Sequence, residues 1–473
     1  MLIFCFLLFL VDYCDAFTNE YLNTSSIGSQ MQKFVVSFNS LNLTDISSFS
    51  QSVGKSTNGR PITAYCFGRC DPSFPSLLIF GGIHGREGLS VMACVEFIAF
   101  LYKQLILMDI ESLYLLRSRA LWVIPSLNPD TYDANIKMAS SKSPPVFGLN
   151  RKNQRHSCNP KEKKLQYDED GVDLNRNFPI CFDIDEKGSS SRGCSEDYRG
   201  PYPLSEPETQ ALDSFVKSRN HSIFLALSLH GYGRSILHPY SCQKQALSLN
   251  ASILTVFDYT IREFLQGIHY KYTTGQSWKV PGLYSVNGEA VDYLYYQYSI
   301  PSFSVELPPA YPQLREVNGF WPSISSLRSE CNQLLFNSLK STGCNVQLAG
   351  RFLENRGFGV CHNLSVEIGN RQYSIQRLLS YERADIHLVH HERVEVKMDS
   401  ILVFDWNEHS CTYDRRFRKS IRPTVVVEEI SQVPVIMKMY SMRMTLSIQA
   451  IEFITAFVLY MLVTIFCVLF CYC

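Results

Sequence analysis

The chain has 473 residues, 46% of them hydrophobic, and its 44 basic side chains are balanced by 44 acidic ones. That composition is too apolar for a disordered segment, and the length exceeds one ordinary core, so two domains are expected. Basic residues cluster only at 161–164, in an expected insertion from about 155 to 170. No face of the sequence therefore carries the basic footprint of a nucleic-acid binder, and no internal repeat is visible.

In chain order, residues 1–16 come first. They hold an apolar run, Leu2 to Val11, followed by Cys14-Asp15-Ala16. This is the form of a signal peptide with a small residue at the cut, although no positive charge precedes the run. Ser76 to Phe80 is a short apolar run closed by Gly81-Gly82, which predicts a buried strand. Ile83-His84-Gly85-Arg86-Glu87-Gly88 follows, and Leu89 to Leu101 predicts a helix. His84 and Glu87 therefore fall on one turn where a strand hands over to a helix. Ser205-Glu206-Pro207-Glu208 predicts a helix opened by a capping box. Ile223 to Leu229 predicts a second buried strand ended by His230, and Ser302 to Val305 a third ended by Glu306.

Residues 343–440 change character. Alternating runs such as Val394-Glu-Val-Lys-Met398 and Thr424-Val-Val-Val427 predict a small β-rich domain, a sandwich. His387, His390, His391 and Glu392 have metal-like spacing there. They lie on a strand pattern, where residues i and i+3 face opposite ways, and read as non-ligands. Residues 450–473 end in an uncharged apolar run from Phe453. That predicts a transmembrane helix or a tail removed on lipid anchoring. Lys438 and Arg443 precede the run, against the positive-inside bias. With a cleaved signal the body is still expected to be lumenal or extracellular.

Two imidazoles and one carboxylate, His84, Glu87 and His230, are the ligand set of a hydrolytic zinc site with one position left open for water. In open α/β sheets, ligands gather at the carboxyl ends of strands, where these residues and Glu306 are predicted to lie. An H-x-x-E pair alone is weak. The distant third ligand, the further carboxylate Glu306 and the pair Asn175-Arg176 together point to a peptide hydrolase. The H-E-x-x-H helix of many endopeptidases is missing.

These segments, in this order, resemble the zinc metallocarboxypeptidases of the carboxypeptidase A/B type, themselves a standard example of a two-histidine, one-glutamate site. The resemblance runs from about Gly54 to about Leu307. It covers the segment around Arg60, the His84 segment, Pro-Ser-Leu-Asn-Pro-Asp130, Asn-Arg151-Lys, Gly-Val-Asp-Leu-Asn175-Arg176-Asn-Phe, Cys194-Ser-Glu-Asp-Tyr-Arg-Gly, the His230 segment, Leu-Tyr284 and Val-Glu306-Leu. It implies an α/β fold for residues 17–342: a twisted mixed β-sheet flanked by helices. A related branch of the family also carries a small β-domain after it. The stretch between Ala16 and His84 is what the catalytic domain itself uses, so no globular activation segment is expected.

The resemblance also implies roles. One Zn2+ would sit on His84, Glu87 and His230. Glu306 would be the general base, and Arg151 would polarise the scissile carbonyl and steady the oxyanion. Asn175, Arg176 and Tyr284 would clamp the free C-terminal carboxylate, which a guanidinium fork suits. Arg86 and Tyr232 match outer subsites. Val291 matches the floor of the specificity pocket, so apolar C-terminal residues are expected, unless a slip in the loop alignment brings Glu289 into the pocket instead. The implied partners are peptide or protein C-termini and, through the tail, a membrane. Two other readings compete: an inactive homologue used for binding, which should lack a ligand or the base, and a zinc deacylase or amidase, which should lack the tyrosine and the Asn-Arg pair. Neither loss is seen.

Of sixteen cysteines, eleven remain once Cys5, Cys14, Cys467, Cys471 and Cys473 at the ends are set aside. An oxidising compartment would pair most of them and leave one over, expected to be Cys94 in its apolar helix. Cys194 matches a family disulfide position; Cys158 is its expected partner, with Cys181 the alternative. Five sequons, at Asn23, Asn42, Asn220, Asn250 and Asn363, permit glycosylation.

Overall fold

The computed structural model of the protein describes residues 20–343, apart from 73, 141–145, 164–167, 244–246, 248, 250 and 314, together with six short strands between 366 and 413. Eight strands make the main sheet: β1 Ser47–Lys55, β2 Pro61–Gly68, β3 Ser76–Phe80, β4 Ala120–Ile124, β5 Ile223–Gly233, β6 Ser235–Leu237, β7 Thr273–Gly275 and β8 Ser302–Ala310. Their order is β1-β2-β4-β3-β5-β8-β6-β7. The four central strands, β4, β3, β5 and β8, are parallel. The strands outside them add antiparallel pairings on both sides. The sheet is therefore mixed.

Parallel strands are covered on both faces, which is why they read as unbroken apolar runs rather than alternating ones. β3 shows this directly. Leu77 and Ile79 enter one hydrophobic core, and Leu78 and Phe80 enter the other. The first core is closed by α1 (Thr24–Ser40), α2 (Gly88–Ile106) and α9 (Ile324–Gly343), among others. The second is closed by α5 (Pro207–Arg219) and α7 (Ala290–Tyr298). Among the described residues α2 is the one helix long and apolar enough to cross a membrane, and here most of it is buried in the first core.

Several local expectations change. The predicted strand 76–80 is observed with those bounds, and the predicted helix is longer at both ends. β5 and β8 do not stop at His230 and Glu306. They pair with each other there, His230 opposite Glu306, and run on to Gly233 and Ala310 through an irregularity in register. The capping box does not form. α5 begins at Pro207 with Glu206 at the N-cap and no side-chain cap bond. Ser205 Oγ donates to Glu206 instead, while Glu208 accepts from the backbone N–H of Thr57. Tertiary partners have outcompeted the local cap.

Three disulfides join Cys158 to Cys194, Cys181 to Cys242 and Cys66 to Cys70. Cys158, not Cys181, is thus the partner of Cys194. Cys94 is a buried free thiol as expected, but Cys331 is a second one, on α9. Beyond residue 343, strands Ile386–Val389, Arg393–Val396, Leu402–Trp406 and Cys411–Tyr413 pair consecutively and antiparallel, and Val366–Ile368 pairs with Arg371–Tyr373. His387 is on the first of these strands; His390, His391 and Glu392 lie outside the described residues, as do the segments 1–16 and 450–473.

Arg119, fully buried, ties the sheet to α9. Its Nη1 donates to the carbonyls of Leu339 and Lys340, both at 2.9 Å, near the helix end where carbonyls lack helical partners. Arg119→Met should leave both carbonyls buried without that donor and lower the unfolding free energy by about 2–4 kcal/mol. The measurement is the urea midpoint, and an unchanged midpoint would show that the carbonyls find other partners.

Candidate active site

The central strands β3, β5 and β8 run parallel, so their carboxyl ends share one edge of the sheet. The chain leaves β3 through Gly81 and Gly82. A Cβ on Gly81 would sit 2.3 Å from the Ser90 carbonyl oxygen, and Gly82 has φ +60. Only glycine lets this loop fold so tightly against the start of α2. That fold brings His84 and Glu87 to the sheet edge beside His230 of β5.

Glu87 lies between the two imidazoles. Its Oε1 is 2.6 Å from His84 Nδ1 and its Oε2 is 3.1 Å from His230 Nδ1. The Gly231 N–H also donates to Oε2. All three side chains are buried, and their ligand atoms lie within 4.8 Å of one another. The far nitrogens face polar groups, by charge proximity for His84 and by a hydrogen bond for His230. His84 Nε2 faces Asp173 Oδ1 at 3.2 Å, and His230 Nε2 is 2.9 Å from Ser228 Oγ. Both rings thus turn Nδ1 toward Glu87, as rings held by outer partners do in metal sites. Two neutral imidazole nitrogens and a carboxylate, buried and converging, fit a zinc ion.

The electrostatics follow from burial and close charges. Desolvation pushes the Glu87 carboxyl up, but His84 and His230 outweigh it and hold it well below the usual range. Burial, then the Arg151 charge, pushes His84 down. His230 is raised; its burial is overcome by Glu87. Glu306 is raised to about 7, chiefly by burial, with Glu87 and Glu289 pushing the same way and His230 and Arg151 opposing.

One cleft, with a cavity of about 100 Å³, gathers His84, His230, Arg151, Asn175, Arg176, Tyr284 and Glu306. Arg151 Nε donates to Asp173 Oδ2 at 2.9 Å, and its Nη1 is 3.8 Å from Glu87 Oε1. Arg176 is buried, with Nη1 donating to the Asn175 carbonyl, and its Nε has no partner among the described residues. Tyr284 is 61% exposed. Arg86 and Tyr232 are not in this lining. They meet Phe320, Arg86 over the ring at 4.5 Å and Tyr232 edge-on at 5.1 Å, and Arg86 also pairs with Glu196.

Val291 is fully buried within α7 and does not line the cleft. Glu289, at the N-cap of α7, lines it instead, together with Ser304 of β8. Sequence reasoning missed Asp173, which holds both His84 and Arg151, although it lies two residues before Asn175 in the same motif.

Asp173→Ala should free the His84 ring and loosen Arg151. Loss of such an outer partner typically costs about 10–100-fold in metal affinity. Competition with a chromogenic chelator reads this, and an unchanged zinc affinity would assign the ring's orientation to packing alone.

The sequence pattern described as zinc carboxypeptidase matches residues 43–337. Carboxypeptidase B2 of Mus musculus is 32% identical over 233 residues, 48% of this chain and 49% of that protein. Zinc carboxypeptidase A 1 of Drosophila melanogaster is 29% identical over 242 residues, half of each. The chain thus spans about half the length of the curated relatives it matches. Among solved structures, thrombin activatable fibrinolysis inhibitor aligns at TM-score 0.56 and 25% identity, over 70% of this chain and 75% of that one. Carboxypeptidase A from Helicoverpa armigera shares the fold at TM-score 0.55 and 22% identity, with the same coverage. With the family pattern covering most of the described catalytic part, the chain belongs to the zinc carboxypeptidase family.

Proposed function

We propose that this chain is an active metallocarboxypeptidase that removes single residues from the C-termini of peptides or proteins. One observation carries the reading: the buried Arg176 guanidinium, with a free Nε–H, lies in the same cleft as the His84–Glu87–His230 cluster. A hydrolase that cuts inside chains has no use for a buried cation at this point, whereas a free terminal carboxylate pairs with it.

Zn2+ bound at the three ligands supplies Lewis-acid activation of water and of the scissile carbonyl. The chain's own groups do the rest. Glu306 is placed opposite His230 on the neighbouring strand. A carboxyl raised to about 7 is poised to take a proton from water and pass it to the leaving amine near neutral pH. Arg151, fixed by Asp173, presents a permanent charge to the developing oxyanion. Arg176 and Asn175 hold the terminal carboxylate, and Tyr284 at the solvent-exposed side of the cleft completes the clamp.

The test uses the zinc-loaded protein and blocked dipeptides. Hydrolysis should be chelator-sensitive, and the amidated forms of the same dipeptides should be cut far more slowly. Glu306→Gln should keep zinc but lose roughly 10²–10⁴-fold in turnover. Equal cleavage of acid and amide, or less than about a tenfold loss in the variant, would remove the exopeptidase reading or the base assignment respectively.

The site of action belongs to the same proposal: a lumenal or extracellular catalytic part, attached to a membrane through 450–473. Three disulfides support an oxidising compartment. Asn23 and Asn42, in sequons, are exposed. Protein from secretory cells should lose mass on N-glycosidase treatment, and a cytosolic, unglycosylated form would contradict the assignment.

A further inference from the structure

Asp173 holds the guanidinium of Arg151, and a second carboxylate grips the backbone that bears it. Glu169 is half-buried, near the end of the insertion at 155–170. Its Oε1 accepts from the Lys152 N–H at 3.0 Å and from the Arg151 N–H at 3.2 Å. Its Oε2 is also 3.2 Å from the Arg151 nitrogen. On the other side, the Arg151 carbonyl accepts from the Gly85 N–H at 3.0 Å. Gly85 follows His84 on the loop that carries His84 and Glu87. The peptide groups of Arg151 are thus bracketed between that loop and Glu169.

Glu169 is itself held in place. Its own N–H donates to the Cys194 carbonyl at 3.0 Å. Cys194 is joined by a disulfide to Cys158, near the start of the insertion. Ser157 Oγ donates to the carbonyls of Gly171 and Gly193, which draws the two ends of the insertion together. Lys152, only 1% exposed, closes the ring. Its Nζ donates to the Gly193 carbonyl at 3.1 Å and to the Ser195 carbonyl at 2.6 Å. Residues 151–152, 169 and 193–195 therefore fix one another, partly through charge-assisted bonds.

The carboxylate is kept here against its own desolvation. Burial pushes the Glu169 carboxyl up, while the two N–H groups and the Lys152 and Arg86 charges oppose the shift. What the arrangement achieves is order in two consecutive peptide groups. Arg151 is a long side chain, so a small rotation of its peptide is amplified at the guanidinium. The head has little latitude, with Nε bonded to Asp173 at 2.9 Å and Nη1 3.8 Å from Glu87. A misplacement of about 1 Å can lower a rate on the order of 10²-fold.

We propose that Glu169 is a positioning residue for Arg151, so that the insertion at 155–170 buttresses the charge that meets the oxyanion. Glu169 acts through the Arg151 backbone and not on the substrate. The proposal rests on the carboxypeptidase reading for what Arg151 does. The reach of the acceptor is what counts, since Asp173 already balances the guanidinium. Two variants separate reach from charge. Glu169→Gln keeps an oxygen at the place of Oε1, within reach of both N–H groups. Glu169→Asp keeps the charge but withdraws the acceptor by one methylene.

Two measurements on the zinc-loaded full chain test this. The first is kcat and KM for blocked dipeptides. The second is amide hydrogen exchange at residues 151 and 152, which needs neither substrate nor turnover. Glu169→Asp should lower kcat by roughly tenfold to a hundredfold, with KM within about threefold and zinc retained. Glu169→Gln should keep most of the activity. On an Arg151→Ala background, Glu169→Asp should add less than about a threefold loss, because its effect passes through a side chain already removed. A merely structural role would give the same loss on both backgrounds. Exchange at 151 and 152 should be faster in the Asp variant than in the wild type or the Gln variant. An Asp variant as active as wild type, a Gln variant weaker than Asp, an equal loss without Arg151, or unchanged exchange would each overturn the assignment. Hydrolysis of no dipeptide by the wild-type protein would instead count against the carboxypeptidase reading, and the exchange rates would still decide for or against Glu169 as the clamp on this backbone.

Discussion

A carboxylate buried between two imidazoles organises this protein. Glu87 contacts Nδ1 of both His84 and His230, from segments well over a hundred residues apart, with almost no solvent to screen them. Such an arrangement is helped by polar partners packed around it. Asp173 lies at ion-pair distance from the far nitrogen of His84, Ser228 bonds that of His230, Gly231 donates to Glu87, and Arg151 balances Asp173. The parallel run of β3, β5 and β8 makes the arrangement possible, because it delivers three chain segments to one edge with the same polarity. Two hydrophobic cores, one on each face, keep that edge fixed.

The same network separates the charges by role. Glu87 and Glu306 are both buried carboxyl groups in one cleft, yet their environments push them in opposite directions. Contact with two imidazoles holds Glu87 well below the usual range, whereas burial and two neighbouring acids raise Glu306 to about 7. One is fixed as an anion suited to a cation. The other is able to exchange a proton near neutrality.

Much of this was legible in the sequence, for physical reasons that can be named. Strands buried on both faces are continuous apolar runs, so β3 could be bounded to the residue. Tight-turn glycines and ligand-type side chains are local, so the His84–Glu87 segment stood out. What failed needed information from elsewhere in the chain. The capping box at Ser205 lost to partners from Thr57 and from Glu206 itself. His230 and Glu306 were placed at strand ends, but pairing between β5 and β8 carries both strands past them. Cys331 gave no signal at all, because a buried thiol on a helix looks like any other apolar residue.

The contact between Gly288 and the Arg176 carbonyl has a consequence for how such a site can diversify. The backbone on either side of that contact has no room to spare, so a larger residue at 288 would shift the Arg176 backbone along with the start of α7. The side chains that follow are not under this restriction. Glu289 and Ser304 line the cleft from fixed positions, and either can be exchanged without moving that backbone. Side-chain replacement at those two positions can therefore reshape this wall of the cleft while the backbone beside Arg176 stays where it is.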